Sequence, residues 1–169
     1  MNLSESNKDY ARFLPAISSI YTKFLSHTSA YNSKVTDERI PECFPHGLES
    51  MNFLNEGKGL FSYKWALYSA GHAMLDPEKS NKSEAQVQKR DRSKVTLVGD
   101  SGGFQVAKGV LKFPWEQFKD SGGKCDEVRI KILKWLEHTA DWSMILDVPS
   151  FSIHFDTCLL YTSDAADEG

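Results

Sequence analysis

Val95-Thr96-Leu97-Val98 is a short apolar run rich in β-branched residues, and Gly99-Asp100-Ser101-Gly102-Gly103 follows it at once. Such a run bounded by glycines predicts a buried parallel strand. Downstream, Asp126 to Ala140 places Val128, Ile132, Trp135 and Leu136 on one face at helical spacing, with Glu127 and Arg129 early in the segment. Trp142 to Leu146 is a second apolar run, and it meets Asp147-Val148-Pro149. Strand, loop, helix and strand in that order make a βα unit and predict an α/β fold. Each strand is followed by an aspartate. In α/β sheets, and in (β/α)8 barrels above all, the C-terminal strand ends carry the active site. Asp100 and Asp147 are therefore the leading candidates for chemistry, against the alternative that each caps the next turn.

Working back towards the N-terminus, the pattern is less sharp. Phe13, Ile17, Ile20, Tyr21 and Phe24 recur at helical spacing and predict a core-facing helix from Tyr10 to about Leu25. Asn32 to Gly47, with Pro41 and Pro45, reads as a loop. Leu60 to Leu75, carrying Trp65, Leu67, Tyr68 and Ala70, reads as a buried helix, with His72 in a structural role. Asp76 to Lys94 is nearly all polar and reads as a solvated surface insertion, and the cations of Lys89 to Lys94 could meet phosphate.

The bulk composition is that of an ordinary globular domain: 169 residues, 40% hydrophobic and 25% charged. A net charge of −3 gives no global basic footprint for nucleic acid. Cys43, Cys125 and Cys158 form no Cys-x-x-Cys pair, which suits a reducing, cytoplasmic setting with Cys43 and Cys125 as small buried hydrophobes. The polar N-terminus has no signal-peptide pattern, and no apolar run reaches the ~20 residues of a membrane span.

The loop after the first strand suits a flat, hydrogen-bonding ligand. Gly102 and Gly103 let the backbone turn sharply and approach a ligand, and their amides can donate. Phe104 offers a face for stacking a base. Gln105 can both donate to and accept from a base edge.

Asp100-Ser101-Gly102-Gly103-Phe104-Gln105-Val106 resembles the signature of the tRNA-guanine transglycosylase family, and Ala140 to Asp147 resembles that family's second substrate-binding strand. The likeness spans about Val95 to Pro149. It implies a (β/α)8 barrel, here the N-terminal part of one, and a double displacement that exchanges guanine in nucleic acid for a 7-deazaguanine. By resemblance Asp100 is the general acid/base, Asp147 accepts the N–H groups of the base, and Phe104 stacks on it. Ser101, Gly102 and Gly103 would line the pocket, with Gln105 beside them. The implied partners are DNA or tRNA and a free 7-deazaguanine. Homo-oligomerisation is left open. The family's nucleophilic aspartate and zinc ligands lie downstream of Asp147, so no cofactor is expected in this stretch, zinc is expected in a full-length parent, and this chain alone should be inactive.

Val148-Pro149 stands where bacterial tRNA enzymes carry Glu-Cys. That departure favours the branch, frequent in phages, that modifies DNA. Cys158 to Gly169, on reverse translation, resembles a transposon-end adapter. The expected organisation is thus residues 1–157 as a partial barrel and 158–169 as a non-native tail. Two other readings compete: a non-catalytic family member acting as a binding subunit, and an unrelated barrel enzyme acting on a small metabolite.

Overall fold

The computed structural model describes residues 11–26, 34–73, 75–76, 78–80, 84–114 and 123–145. They form a mixed α/β structure built on one parallel sheet. The strands are β1 (Ala16–Ile17), β2 (Trp65–Ser69), β3 (Thr96–Asp100) and β4 (Trp142–Ser143), in spatial order β1-β2-β3-β4. Every pairing is parallel. The helices are α1 (Ser19–Leu25), α2 (Ala85–Gln88), α3 (Gly103–Ala107) and α4 (Lys124–Thr139). Strand order follows chain order without reversal, and the sheet is open.

Two segments differ from the sequence expectation. The N-terminal helix begins only at Ser19, because Ser18 is its N-cap and accepts a hydrogen bond from Tyr21 N–H at 3.1 Å. The residues before it run into β1, and Phe13 and Ile20 are exposed rather than core-facing. The expected helix over Leu60–Leu75 is instead β2 followed by a short 3-10 turn, Ala70–His72. Pairing of all five β2 residues with Thr96–Asp100 outweighs any helical tendency of this run.

The register sorts the strand residues onto two faces. Ile17, Tyr68 and Gly99 are aligned across β1, β2 and β3, and this row lies on the helix-covered side. Ala66, Leu97 and these residues are buried against Ile132, Trp135 and Leu136 of α4 and against Val87 of α2. The Tyr68 and Trp135 rings meet at 5.6 Å between centroids. Gly99 is needed there: a Cβ would sit 2.5 Å from Leu136 Cδ2 and 2.8 Å from the Ala140 methyl. The opposite row, Ala16, Leu67, Val98 and Trp142, is not covered to the same degree, and Trp142 is 68% exposed. The expected strand is thus buried on one face, not two.

The segment Asp76–Lys94, expected to be solvated, is partly core. Ser80, Glu84, Gln86, Val87 and Arg90 are buried. Glu84 accepts the Tyr68 hydroxyl at 2.9 Å, and Ser80 Oγ accepts the Trp135 indole N–H at 3.3 Å. Of the cationic run, Arg90 is buried and Arg92 is exposed, and Asp141 pairs with both. Its Oδ2 accepts from Arg90 at 2.7 Å and from Leu97 N–H at 2.8 Å, and its Oδ1 accepts from Arg92 at 2.9 Å. Arg92 also donates to the His138 and Ala140 carbonyls, closing α4 onto the start of β4. Of the cysteines, Cys125 is buried as expected, whereas Cys43 is exposed. Among the described residues no helix is long and apolar enough to cross a membrane.

Candidate functional site

The C-terminal ends of β2 and β3 lie side by side, since Ser69 and Asp100 are register partners. By the alternation along each strand, both stand on the face opposite Tyr68 and Gly99. Asp100 is half-buried, and among the described residues its carboxylate has no hydrogen-bond or ion-pair partner. It is not a cap: α3 begins after Gly102, and no side-chain cap bond is made there. A half-buried carboxylate left open at a strand end is available to a ligand.

The loop that follows is shaped by glycine. Gly102 adopts φ 88°, in the left-handed region that favours glycine. A Cβ there would lie 2.6 Å from the Gly71 nitrogen. Gly71 in turn faces Gln105, whose Cβ would be 2.6 Å from any side chain added at Gly71. The two glycines therefore let the loops after β2 and β3 pack backbone to backbone. Ser101 and Gly103 are buried in this contact, whereas Phe104 projects outward and is 67% exposed. The Lys108 ammonium sits 5.6 Å from the Phe104 ring centroid, a cation–π contact at the same rim.

Gln105 is placed differently from a base-edge reader. It is buried, its Oε1 accepts the Ser69 hydroxyl at 2.9 Å, and its Nε2 lies 3.1 Å from His72 Nε2. Both polar ends are used within the protein, so Gln105 ties the β3 loop to the β2 loop. Ser69 and His72 thus join the rim. Glycine at 71 was the sequence signal for them, hidden because Leu60–Leu75 reads as one apolar helix. Asp147 lies outside the described residues, as do Leu146 and the whole of Cys158–Gly169. β4 does run parallel beside β3, with Gly99 opposite Ser143, so the chain leaves β4 towards the same end of the sheet as Asp100.

Asp141, inside the stretch that resembles a substrate-binding strand, sits at the other end of the sheet with Arg90 and Arg92. Burial opposes its ionisation, but the Leu97 N–H and the two guanidiniums outweigh that and hold its carboxyl below the usual range. Near that end lies a recess of about 440 Å³ lined by Glu49, Asn52, Asn55, Gln86 and Arg90 among others. Glu49 Oε1 there accepts two amides, from Asn52 and Asn55, both at 2.7 Å. The recess thus offers a carboxylate already engaged, whereas the rim offers a free one. Among the described residues no three His, Cys, Asp or Glu side chains gather to hold a metal, so none of them fits the zinc implied by the resemblance.

No family model matches the chain, and neither a curated protein nor a solved structure matches it, so a functional reading has to rest on the strand-end rim itself.

Proposed function

We propose that the rim built on Asp100 is part of a base-exchange site, in which guanine in DNA or tRNA is replaced by a 7-deazaguanine. The observation that carries this reading is the unpartnered carboxylate of Asp100 at a parallel strand end, directly before a glycine-shaped loop that presents an exposed phenyl ring. Supporting it, the strands follow one another in chain order, as neighbouring strands of a (β/α)8 barrel do. A complete barrel, of which this sheet would be four strands, belongs to the same proposal.

In the exchange, a carboxylate nucleophile forms a bond to the sugar C1′ while the C1′–N9 bond to guanine breaks. The departing base gains a proton. The incoming 7-deazaguanine then bonds to C1′ through its ring nitrogen, loses a proton, and releases the carboxylate. Asp100 is the group proposed to give and take those protons. Phe104 supplies a stacking face, and Asp147 is proposed to accept N–H groups of the base. The nucleophile is proposed to be a carboxylate downstream of Asp147.

Asp100→Asn in a full-length protein carrying this strand-end rim tests the assignment. Replacing the acid/base should slow incorporation of labelled guanine into DNA or tRNA by on the order of 10²–10⁴-fold and leave base binding nearly intact. Asp147→Asn should instead weaken base binding by roughly 2–4 kcal/mol, by loss of a charged acceptor. Wild-type exchange in both variants would remove the chemical basis of the reading.

A further inference from the structure

The rim contains a histidine whose neutral tautomer is decided by its neighbours. Ser69 Oγ accepts the Gly71 N–H at 3.2 Å. Its one hydrogen must then be donated, and Gln105 Oε1 at 2.9 Å receives it. The Gln105 amide is thereby oriented with Nε2 towards His72 Nε2, 3.1 Å away. An amide NH2 donates and does not accept. His72 Nε2 must therefore be the bare, accepting nitrogen, and the neutral ring carries its proton on Nδ1. Turning the amide over would strand the hydroxyl hydrogen of a residue only 8% exposed, and a buried donor left unpaired is destabilising.

We infer that Ser69 and Gln105 are positioning residues that lock His72 as its Nδ1–H tautomer, and that this N–H is a donor to a phosphodiester oxygen of the polynucleotide bound at the rim. The choice of ligand rests on the base-exchange reading, whereas the tautomer does not. His72 is exposed, and its Nδ1 has no partner among the described residues. The turn that carries it packs against the Gly102 loop, immediately after Asp100. The Lys108 ammonium stands on the same rim beside Phe104. A neutral N–H and an ammonium supply donors without acceptors, which suits an anionic oxygen beside the stacked base rather than the base edge.

Long-range 1H–15N spectra of the 15N-histidine-labelled chain, recorded above the histidine titration range, read the tautomer directly. His72→Gln identifies the His72 signals by their disappearance. The wild type should show Nδ1 protonated and Nε2 bare. Gln105→Glu replaces the amide donor with a carboxylate acceptor and should move the population to Nε2–H. Should that variant fail to fold, Gln105→Ala, which removes the donor to His72 together with the Ser69 acceptor, should still lower the Nδ1–H share. A wild-type His72 with Nε2–H, or a tautomer indifferent to both changes at residue 105, overturns the lock. A guanine-containing single-stranded oligonucleotide should then shift His72 Nδ1. If the Phe104 ring responds to it and His72 does not, the donor role is wrong. If neither responds, the base-exchange reading fails and takes the proposed ligand with it, while the tautomer stands on the Gln105→Glu result.

Discussion

Asp141→Ala should be among the most damaging single substitutions in this chain, although Asp141 is remote from the rim. Its carboxylate is 22% exposed, and its partner Arg90 only 1%. Removing it leaves a buried guanidinium with its carbonyl partners Val87 and Val95 but no counter-charge. Breaking a buried pair from one side costs about 3–5 kcal/mol. The second partner adds little, because Arg92 is 47% exposed and an exposed pair is worth at most about 1 kcal/mol. The Leu97 N–H also loses its acceptor. A total near 3–5 kcal/mol, against the 5–15 kcal/mol typical of a domain, would move the urea midpoint down by roughly 1.5–2.5 M for a slope near 2 kcal/mol per M. Circular dichroism during urea unfolding measures it. Asp141→Asn, which keeps one acceptor oxygen, should fall between the variant and the wild type. The double change Arg90→Met with Asp141→Leu should recover much of the loss, since a packed apolar pair can replace a buried ionic one. The folded carboxyl titrates below its unfolded value, so its stabilisation is complete above the unfolded value near ~4. It is lost as the pH falls through the lower folded value. A loss below about 1 kcal/mol for Asp141→Ala, with unchanged acid sensitivity, would refute the clamp.

Two glycine substitutions probe the packing that sets the rim. Gly99→Ala drives a methyl into Leu136 and Ala140 and should cost roughly 1–3 kcal/mol in chemical denaturation, with α4 displaced from β3. A neutral result would mean that α4 does not lie over Gly99. Gly102→Ala meets a left-handed φ, worth about 1–2 kcal/mol, and the Gly71 backbone, which cannot move aside as a side chain can. It should both lower the melting temperature and perturb the His72 imidazole signals, and an unchanged His72 spectrum would separate the two loops.

The part of this fold that was legible in the sequence is the part where local pattern and tertiary role coincide. Val95–Val98 is rich in β-branched residues and is followed by glycine, and β3 takes up Thr96–Val98 of it and runs on to Asp100. Ile132, Trp135 and Leu136 recur at helical spacing, and α4 buries them. Trp65–Ser69 was illegible because its composition suits a helix or a strand equally. Only the parallel partner, some 30 residues away in sequence, decides between them. Arg90 and Asp141 illustrate a second limit. A charged residue in a polar run looks solvated unless its counter-charge is known, and here the partner is 51 residues distant. At the rim, the left-handed φ of Gly102 and the exposure of Phe104 follow from backbone geometry near a strand end, which is local. The internal bonds of Gln105 are not legible in the same way, since whether an amide faces a ligand or a neighbouring loop depends on what the preceding strand brings there.

The Asp141–arginine clamp and the rim occupy opposite ends of β3, and that separation gives each a distinct role. Asp141 binds the Leu97 N–H, and three residues further along β3 stands Asp100. At about 3.3 Å per residue the two sites are roughly 10 Å apart. β3 and β4 share few ladder positions, with Val98 opposite Trp142 and Gly99 opposite Ser143, so backbone pairing alone specifies their register weakly. Asp141 adds to it. It precedes Trp142 by one residue, and its side chain is fastened both to β3 and to the arginines before β3. A slip of β4 by one residue would have to break these charged hydrogen bonds together. The clamp therefore fixes where the chain leaves β4 relative to Asp100, which is the geometry a second carboxylate beyond that strand would need to meet the same ligand. Loosening it by Arg92→Ala, the mildest of these changes, should leave the chain folded while broadening the amide resonances of Ser143 and Met144 beyond those of β2. Uniformly sharp β4 resonances in that variant would show that the register is held by packing alone.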